Sequence, residues 1–150
     1  MRAYRSQDLD GVIDVFIRAI RHTASKDYSP AQIDAWAQAD RPLWSERRMS
    51  RPTWVADVDG RPIGFTDLEP DGHIDKMYVD PHYVGRGVAK QLLLTVEAQA
   101  RTHSLTRLHS EVSLTARPFF ERNGFRVVEP ETVFRNGEYL NRFKMAKDLS

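Results

Sequence analysis

The stretch that most constrains this chain is Val84-Gly-Arg-Gly-Val-Ala89, where the hydrophobic pattern changes period across two glycines. Before it, His73 to Val79 has strand character and stops at Asp80-Pro81, because proline has no N–H to give a ladder. After it, Val88, Leu92, Leu93, Val96 and Ala100 recur at helical spacing. The first amides of such a helix lack internal partners, and with the helix dipole they present partial positive charge to an anion. Gly85 and Gly87 let backbone approach a ligand closely, and Ala89 keeps the helix start unobstructed. The segment from Ile74 to about Arg101 is therefore expected to hold a pyrophosphate. No third glycine completes a dinucleotide fingerprint, and no Lys-Ser/Thr pair completes a P-loop.

The rest of the chain supplies what this unit packs against. Arg2 to Arg5 is a short strand, and Val12, Ile13, Phe16, Ile17 and Ile20 mark an amphipathic first helix. Ser29-Pro30 starts a second helix to about Gln38, and a third runs through Trp44 and Arg48 to end before Pro52. Thr53 to Val58 and Pro62 to Leu68 should pair through Asp59-Gly60, a type I′ turn signal. Arg107 to Val112 is a strand, Thr115 to Arg122 a short helix ended by Asn123-Gly124, and Phe125 to Val128 the next strand. Asn136-Gly137 then links Thr132 to Arg135 with Tyr139 to Met145. The order predicts an α/β (α+β) fold, a mixed, mostly antiparallel sheet of six to seven strands flanked by about four helices, as one domain over residues 1–150.

Net charge of +1 gives no bulk field for nucleic acid or an anionic membrane. The chain has no cysteine, which removes disulfides, thiolate zinc sites and a cysteine nucleophile and agrees with a reducing compartment. With no apolar leader or membrane-length run, a cytoplasmic location is expected. Histidines 22, 73, 82, 103 and 109 show no His-x-His and no helical i, i+4 pair, so no metal is expected.

The glycine segment resembles motif A of the GNAT N-acetyltransferase superfamily, a strand followed by Gln/Arg-x-x-Gly-x-Gly/Ala, with Val84 at the first position. Ser110 to Phe125 resembles motif B, Asn-x-x-Ala-x-x-Phe-Tyr-x-x-x-Gly-Phe: Ser113 takes the asparagine position, Ala116 matches, Phe119-Phe120 stands for Phe-Tyr, and Gly124-Phe125 matches. Tyr28 to Ala37 is similar to the bacterial YafP-type branch. The resemblance implies the GNAT fold and acetyl-CoA as cosubstrate. It implies cofactor contacts at Met77, Tyr78, Val79, Val84, Gly85, Arg86, Gly87, Val88, Ala89, Lys90, Ser113, Ala116, Phe119 and Phe120. It further implies that the strands around His73–Val79 and Arg107–Val112 splay, with the backbone of Met77 and Val79 taking the pantetheine arm and the Met77 amide facing the acetyl oxygen.

An alkylammonium, with a reference pKa of about 10.4, must lose a proton before it attacks, so a base is needed. Strand alternation puts His73, Asp75 and Met77 on one face, and His109 with Glu111 on another. Glu111 and Asp75 are the candidate bases, Glu111 preferred, although a strand carboxylate is ordinarily a solvated group. Phe120 stands where the family has an acidic tyrosine, leaving Ser113 and Tyr139 as candidate acids. His22, Tyr28, Trp36, Tyr139 and Asn141 are offered as acceptor-pocket residues. Arg47, Arg48 and Arg51 suit a solvated face or coenzyme A's ribose phosphate. The expected reaction is direct transfer to a primary amine of a small molecule. The alternatives are a protein lysine or N-terminal acetyltransferase and a non-catalytic acyl-CoA-binding module. Neither nucleic acid nor membrane is an expected partner, and a homodimer is left open.

Overall fold

The computed structural model describes residues 1–149. Strand β1 (Arg2–Ala3) leads through a single 3-10 turn into α1 (Leu9–Arg18), whose apolar stripe buries Val12, Ile13, Val15 and Phe16. The helix continues as a wider π turn over Ala19–Thr23. Helix α2 (Pro30–Trp36) begins at a capping box: the Ser29 hydroxyl accepts from Gln32 N, and the Gln32 side chain accepts from Ser29 N. Asp40 caps α3 (Arg41–Ser50) by accepting from Leu43 N. These helices and the strands that carry Val55 and Phe65 close over one core containing Phe16, Trp44, Val55 and Phe65.

Strands β2 (Thr53–Val58), β3 (Arg61–Asp67) and β4 (Met77–Val79) extend β1 into an antiparallel sheet ordered β1-β2-β3-β4. Asp59 and Gly60 both take positive φ, 53° and 82°, as the hairpin turn requires. Helix α4 (Val88–Thr102) follows, then β5 (Arg107–Ser113), α5 (Arg117–Arg122), β6 (Arg126–Arg135) and β7 (Glu138–Asp148). The last three strands form a second sheet, β5-β7-β6. The expected strands Phe125–Val128 and Thr132–Arg135 are not separate: a single strand, β6, runs from Arg126 to Arg135. Pro130 does not break it, because β6 is an edge strand and a bulge between Val127 and Glu129 absorbs the irregularity. A second core, with Ile74, Leu93, Val96, Leu108 and Phe120, lies beneath α4 and α5. Among the described residues, seven strands in two sheets and five α-helices, where about four were expected, realise the α/β architecture.

The two sheets meet at one point. His73 and His109 form an isolated parallel bridge, with Ile74 N donating to His109 O at 2.9 Å and His109 N to Gly72 O at 3.1 Å. Gly72 has φ +92°, and a Cβ there would sit 2.3 Å from Arg107 O, so glycine is what allows the approach. Beyond this apex no ladder joins β4 to β5.

The expected strand His73–Val79 is laddered only at Met77–Val79, because Asp67 Oδ1 accepts from Asp75 N (2.8 Å) and Lys76 N (3.2 Å) where β3 backbone would otherwise bond. This inserts one residue into the alternation. Ile74 and Met77 both pack in the core beneath α4, so His73, Asp75 and Met77 do not share a face as strict alternation required.

Candidate active site

The glycine loop has the form an anion site needs. Gly85 and Gly87 both have φ +81°, and nothing lies within 4 Å of where their Cβ atoms would be. Gly87 is the N-cap of α4 and supplies no side-chain cap. The first helical bond runs from Gln91 N to Gly87 O, so the amides of Val88, Ala89 and Lys90 have no acceptor among the described residues. Arg86 lies over the Tyr83 ring. Behind the loop, buried Asp80 accepts from His82 N and pairs with Arg18 of α1 at 3.2 Å, which fixes the turn before the glycines.

The parted strands form the second half of the site. Asp80 N donates to Ile63 O, which sets the phase of the β3–β4 ladder: Tyr78 bonds toward β3, while Met77 and Val79 turn their N–H and C=O groups toward β5. On β5, Leu149 N bonds Thr106 O and His109 bonds across the apex, so by the same alternation Glu111 and Ser113 turn their backbone into the cleft. A cavity of about 170 Å³ occupies the gap, lined on one side by Asp75 to Tyr78 and on the other by Ser110 to Ser113. Ala116 and Phe120 also line it, together with Tyr28, Trp36, Arg135, Leu140, Asn141 and Arg142.

Charged groups at the apex are tightly organised. His73 Nε2 lies 3.0 Å from both Glu111 oxygens, and its Nδ1 lies 3.0 Å from Glu69 Oε1. The Glu111 bond, then Glu69, raises the imidazole pKa to about 9 against an opposing cost of burial. The same bond holds the Glu111 carboxyl below its ordinary value. Burial alone would raise Asp75, but Lys76, Arg48 and Arg51 together hold it down. His73, His109 and Glu111 present ligand-type atoms within 4.8 Å of one another, as do Glu69, His73 and Asp75. Both nitrogens of the shared member His73 meet carboxylates.

The sequence matches the acetyltransferase (GNAT) domain family over residues 24–149. It is 39% identical over 145 residues to the uncharacterized N-acetyltransferase YafP of Escherichia coli, covering 97% of this chain and 93% of that protein. The chain belongs to the GNAT acetyltransferase family. A solved GCN5-related N-acetyltransferase from Rhodopseudomonas palustris superposes with a TM-score of 0.95 at 34% identity, covering 99% of this chain and 94% of that one. The PaiA N-acetyltransferase of Thermoplasma acidophilum, solved with coenzyme A, shares the fold at a TM-score of 0.73 and 22% identity, covering 99% and 97%.

Within this GNAT scaffold most expected site residues converge, and some do not. Asp75, Met77, Tyr78, Glu111, Ser113, Ala116 and Phe120 all line the cleft. Val79 ends β4 and is not among the cavity-lining residues, and Val84 to Lys90 form the loop and helix start. Ser113 Oγ accepts from Ala116 N at 3.0 Å, turning the chain toward α5. Phe119 packs edge-on to Phe120, supporting the wall without lining the cavity. Tyr139 is 65% exposed and paired with Phe134 on the outer face of the hairpin, since its neighbour Leu140 takes the inward position; it is not placed to act as an acid. His22 is exposed and also outside the cavity. Arg48 is not on a solvated face: it is 2% exposed and ion-paired with Asp67 at 3.0 Å and Asp75 at 3.4 Å, and Arg51 pairs Glu69 at 2.7 Å. His73 is the residue sequence reasoning undervalued, because its partners lie 4 and 38 positions away and only the apex brings all three together.

Proposed function

We propose that the protein transfers an acetyl group from acetyl-CoA to a primary amine of a small molecule by direct attack. The loop fits the cosubstrate's diphosphate: three unpaired amides and two glycines with open space at their Cβ positions make an anion cradle. The edge groups of Met77 and Val79 are unpaired toward the cleft and suit an extended, amide-bearing arm. When bound, acetyl-CoA supplies an activated acyl carbon and a thiolate leaving group. The Met77 amide then serves the carbonyl oxygen as charge develops on it, a donor worth about 3 to 4 kcal/mol in comparable sites. Glu111 and His73 act as a coupled base: with His73 deprotonated, the pair's affinity for a proton approaches that of an alkylamine, so transfer from the acceptor is nearly balanced. Asp75, held by two arginines and Lys76, orients this wall. Ser113, a cleft-lining hydroxyl, is the candidate to protonate the departing sulfur, Phe120 having no hydroxyl.

One observation carries the small-molecule reading: the acceptor side is closed. Tyr28 Oη donates to Asn141 O (2.7 Å), Gln32 Nε2 to Tyr139 O (2.8 Å) and Asn136 Nδ2 to Ala35 O (2.7 Å), so α2 and the segment before it are tied to the β6–β7 hairpin. An extended peptide would need an open groove along that wall. The test is acetyl-CoA consumption across a panel of amines and lysine peptides, beside calorimetric binding of coenzyme A. Turnover of small amines with peptides inert supports the proposal. Peptide turnover in preference overturns the acceptor class, and coenzyme A binding without turnover makes the protein a binding module.

A further inference from the structure

The cleft holds more positive than negative charge once its internal pairs are counted. Two carboxylates line it, Asp75 and Glu111, against Lys76, Arg135 and Arg142. Glu111 is engaged by His73, and Asp75 is shared among Arg48, Arg51 and Lys76. Arg142 is bound to Glu131. That leaves two cations poorly matched. Lys76 has a side chain only 18% exposed, and among the described residues its one ion-pair partner, Asp75 Oδ1, is 3.5 Å away, with Asp67 acting on it from farther off. Arg135, exposed at the end of β6, is laddered to Glu138 through its backbone, but its side chain makes no hydrogen bond or ion pair with any of the described residues, and it stands close enough to disfavour the Lys76 ammonium. Two like charges converging on one small cavity, one in a largely buried side chain, are stabilised when an anion sits between them.

Resting on the acetyltransfer reading above, we propose that the acceptor carries a compact oxyanion, a carboxylate in the first instance, beside its amine, and that Lys76 and Arg135 hold it while Glu111 faces the amine. An acceptor bearing only an ammonium would bring a further positive charge into a cleft already in positive excess; an aminocarboxylate enters with its charges matched at both ends. The guanidinium of Arg135 offers a planar fork to the two carboxylate oxygens, and Lys76 a single strong donor.

The test sets α- and ω-amino acids against their methyl esters and amides, with aminophosphonates as a third arm, all compared at equal concentrations of free amine and saturating acetyl-CoA. The preferred acid is expected to exceed its ester by at least about tenfold in kcat/KM, the size of one well-placed charged contact. Arg135→Gln should erase that advantage by raising KM for the acid while leaving the ester unchanged, and Lys76→Met, which also removes a partner of Asp75, should bring the acid-to-ester ratio of kcat/KM down toward one. Preference for phosphonates would keep the oxyanion site and change its ligand. Esters and plain amines turned over as well as acids, or an advantage that survives both substitutions, overturn this inference alone. Failure of every amine to turn over while coenzyme A still binds overturns the acetyltransfer reading beneath it.

Discussion

At the scale of single residues, the chemistry rests on His73 more than on any carboxylate alone. Its imidazole is held protonated to about pH 9, so at neutral pH the Glu111 carboxylate faces a cation and accepts protons poorly. We therefore expect kcat/KM to rise with pH toward an inflection near 9, measured with an acceptor whose own amine titrates well away from that value. His73→Gln should remove the inflection while leaving coenzyme A affinity intact. Glu111→Gln should lower kcat by about a hundredfold or more, within the range for general-base removal, again with coenzyme A binding retained. Glu111 and Asp75 were legible as candidates because Asp75 lies between Ile74 and Met77 ahead of the glycine segment and Glu111 precedes Ser113 at the start of the second motif. His73 was not, since its importance depends on Glu69 and Glu111 arriving from other segments. Arg48 was misjudged for a similar reason: a basic run near a helix end signals solvent, and only the buried Asp67 opposite it reverses that expectation.

At the scale of elements, local chemistry specified the glycine loop and hairpins well, whereas the cleft depends on side chains standing in for backbone. Asp59-Gly60, Asn136-Gly137, Ser29-Pro30 and Gly85-Arg86-Gly87 all act where their φ preferences placed them. The irregularity at Asp75 and Lys76 was hidden, because it comes from the Asp67 carboxylate capping two amides eight and nine residues on. Two element-level outcomes follow. Gly87→Val forces a β-branched residue to φ +81°, costing about 1 to 2 kcal/mol, and puts its side chain where an anion would sit. Calorimetry should show coenzyme A binding weakened by about tenfold or more, beyond what a modest fall in melting temperature explains. Tyr28→Phe removes a hydroxyl that donates to Asn141 O and accepts from Leu114 N, linking β7 to the end of β5. That should cost about 1 to 3 kcal/mol in denaturant unfolding, the range for unsatisfied buried partners, and raise KM for the acceptor more than for acetyl-CoA.

At the scale of the whole molecule, two sheets joined by one bridge make the apex both a structural hinge point and a proton-holding cluster, so stability and activity should answer to pH in opposite directions. The imidazole of His73 is raised from 6.5 to about 9, so folding binds its proton more tightly than the unfolded chain does. Its contribution is complete below about pH 6.5 and is lost as pH rises through 9. The lowered carboxyls, Glu111 and Asp75 at the apex and Asp8 beside Arg2, contribute above their ordinary values near 4 and lose that contribution as pH falls through their depressed folded values. Asp67, raised by burial, works against them. Lys76, lowered by burial, partly offsets the alkaline decline, so the difference between wild type and His73→Gln is the quantity to measure. Urea unfolding from pH 5 to 10 should show that difference greatest between about pH 5 and 6.5, shrinking across 7 to 9 and flat beyond. A constant difference over the whole range would mean that His73 supports the apex through packing against His109 rather than through its charge, and the rising activity near pH 9 would then need another titrating group.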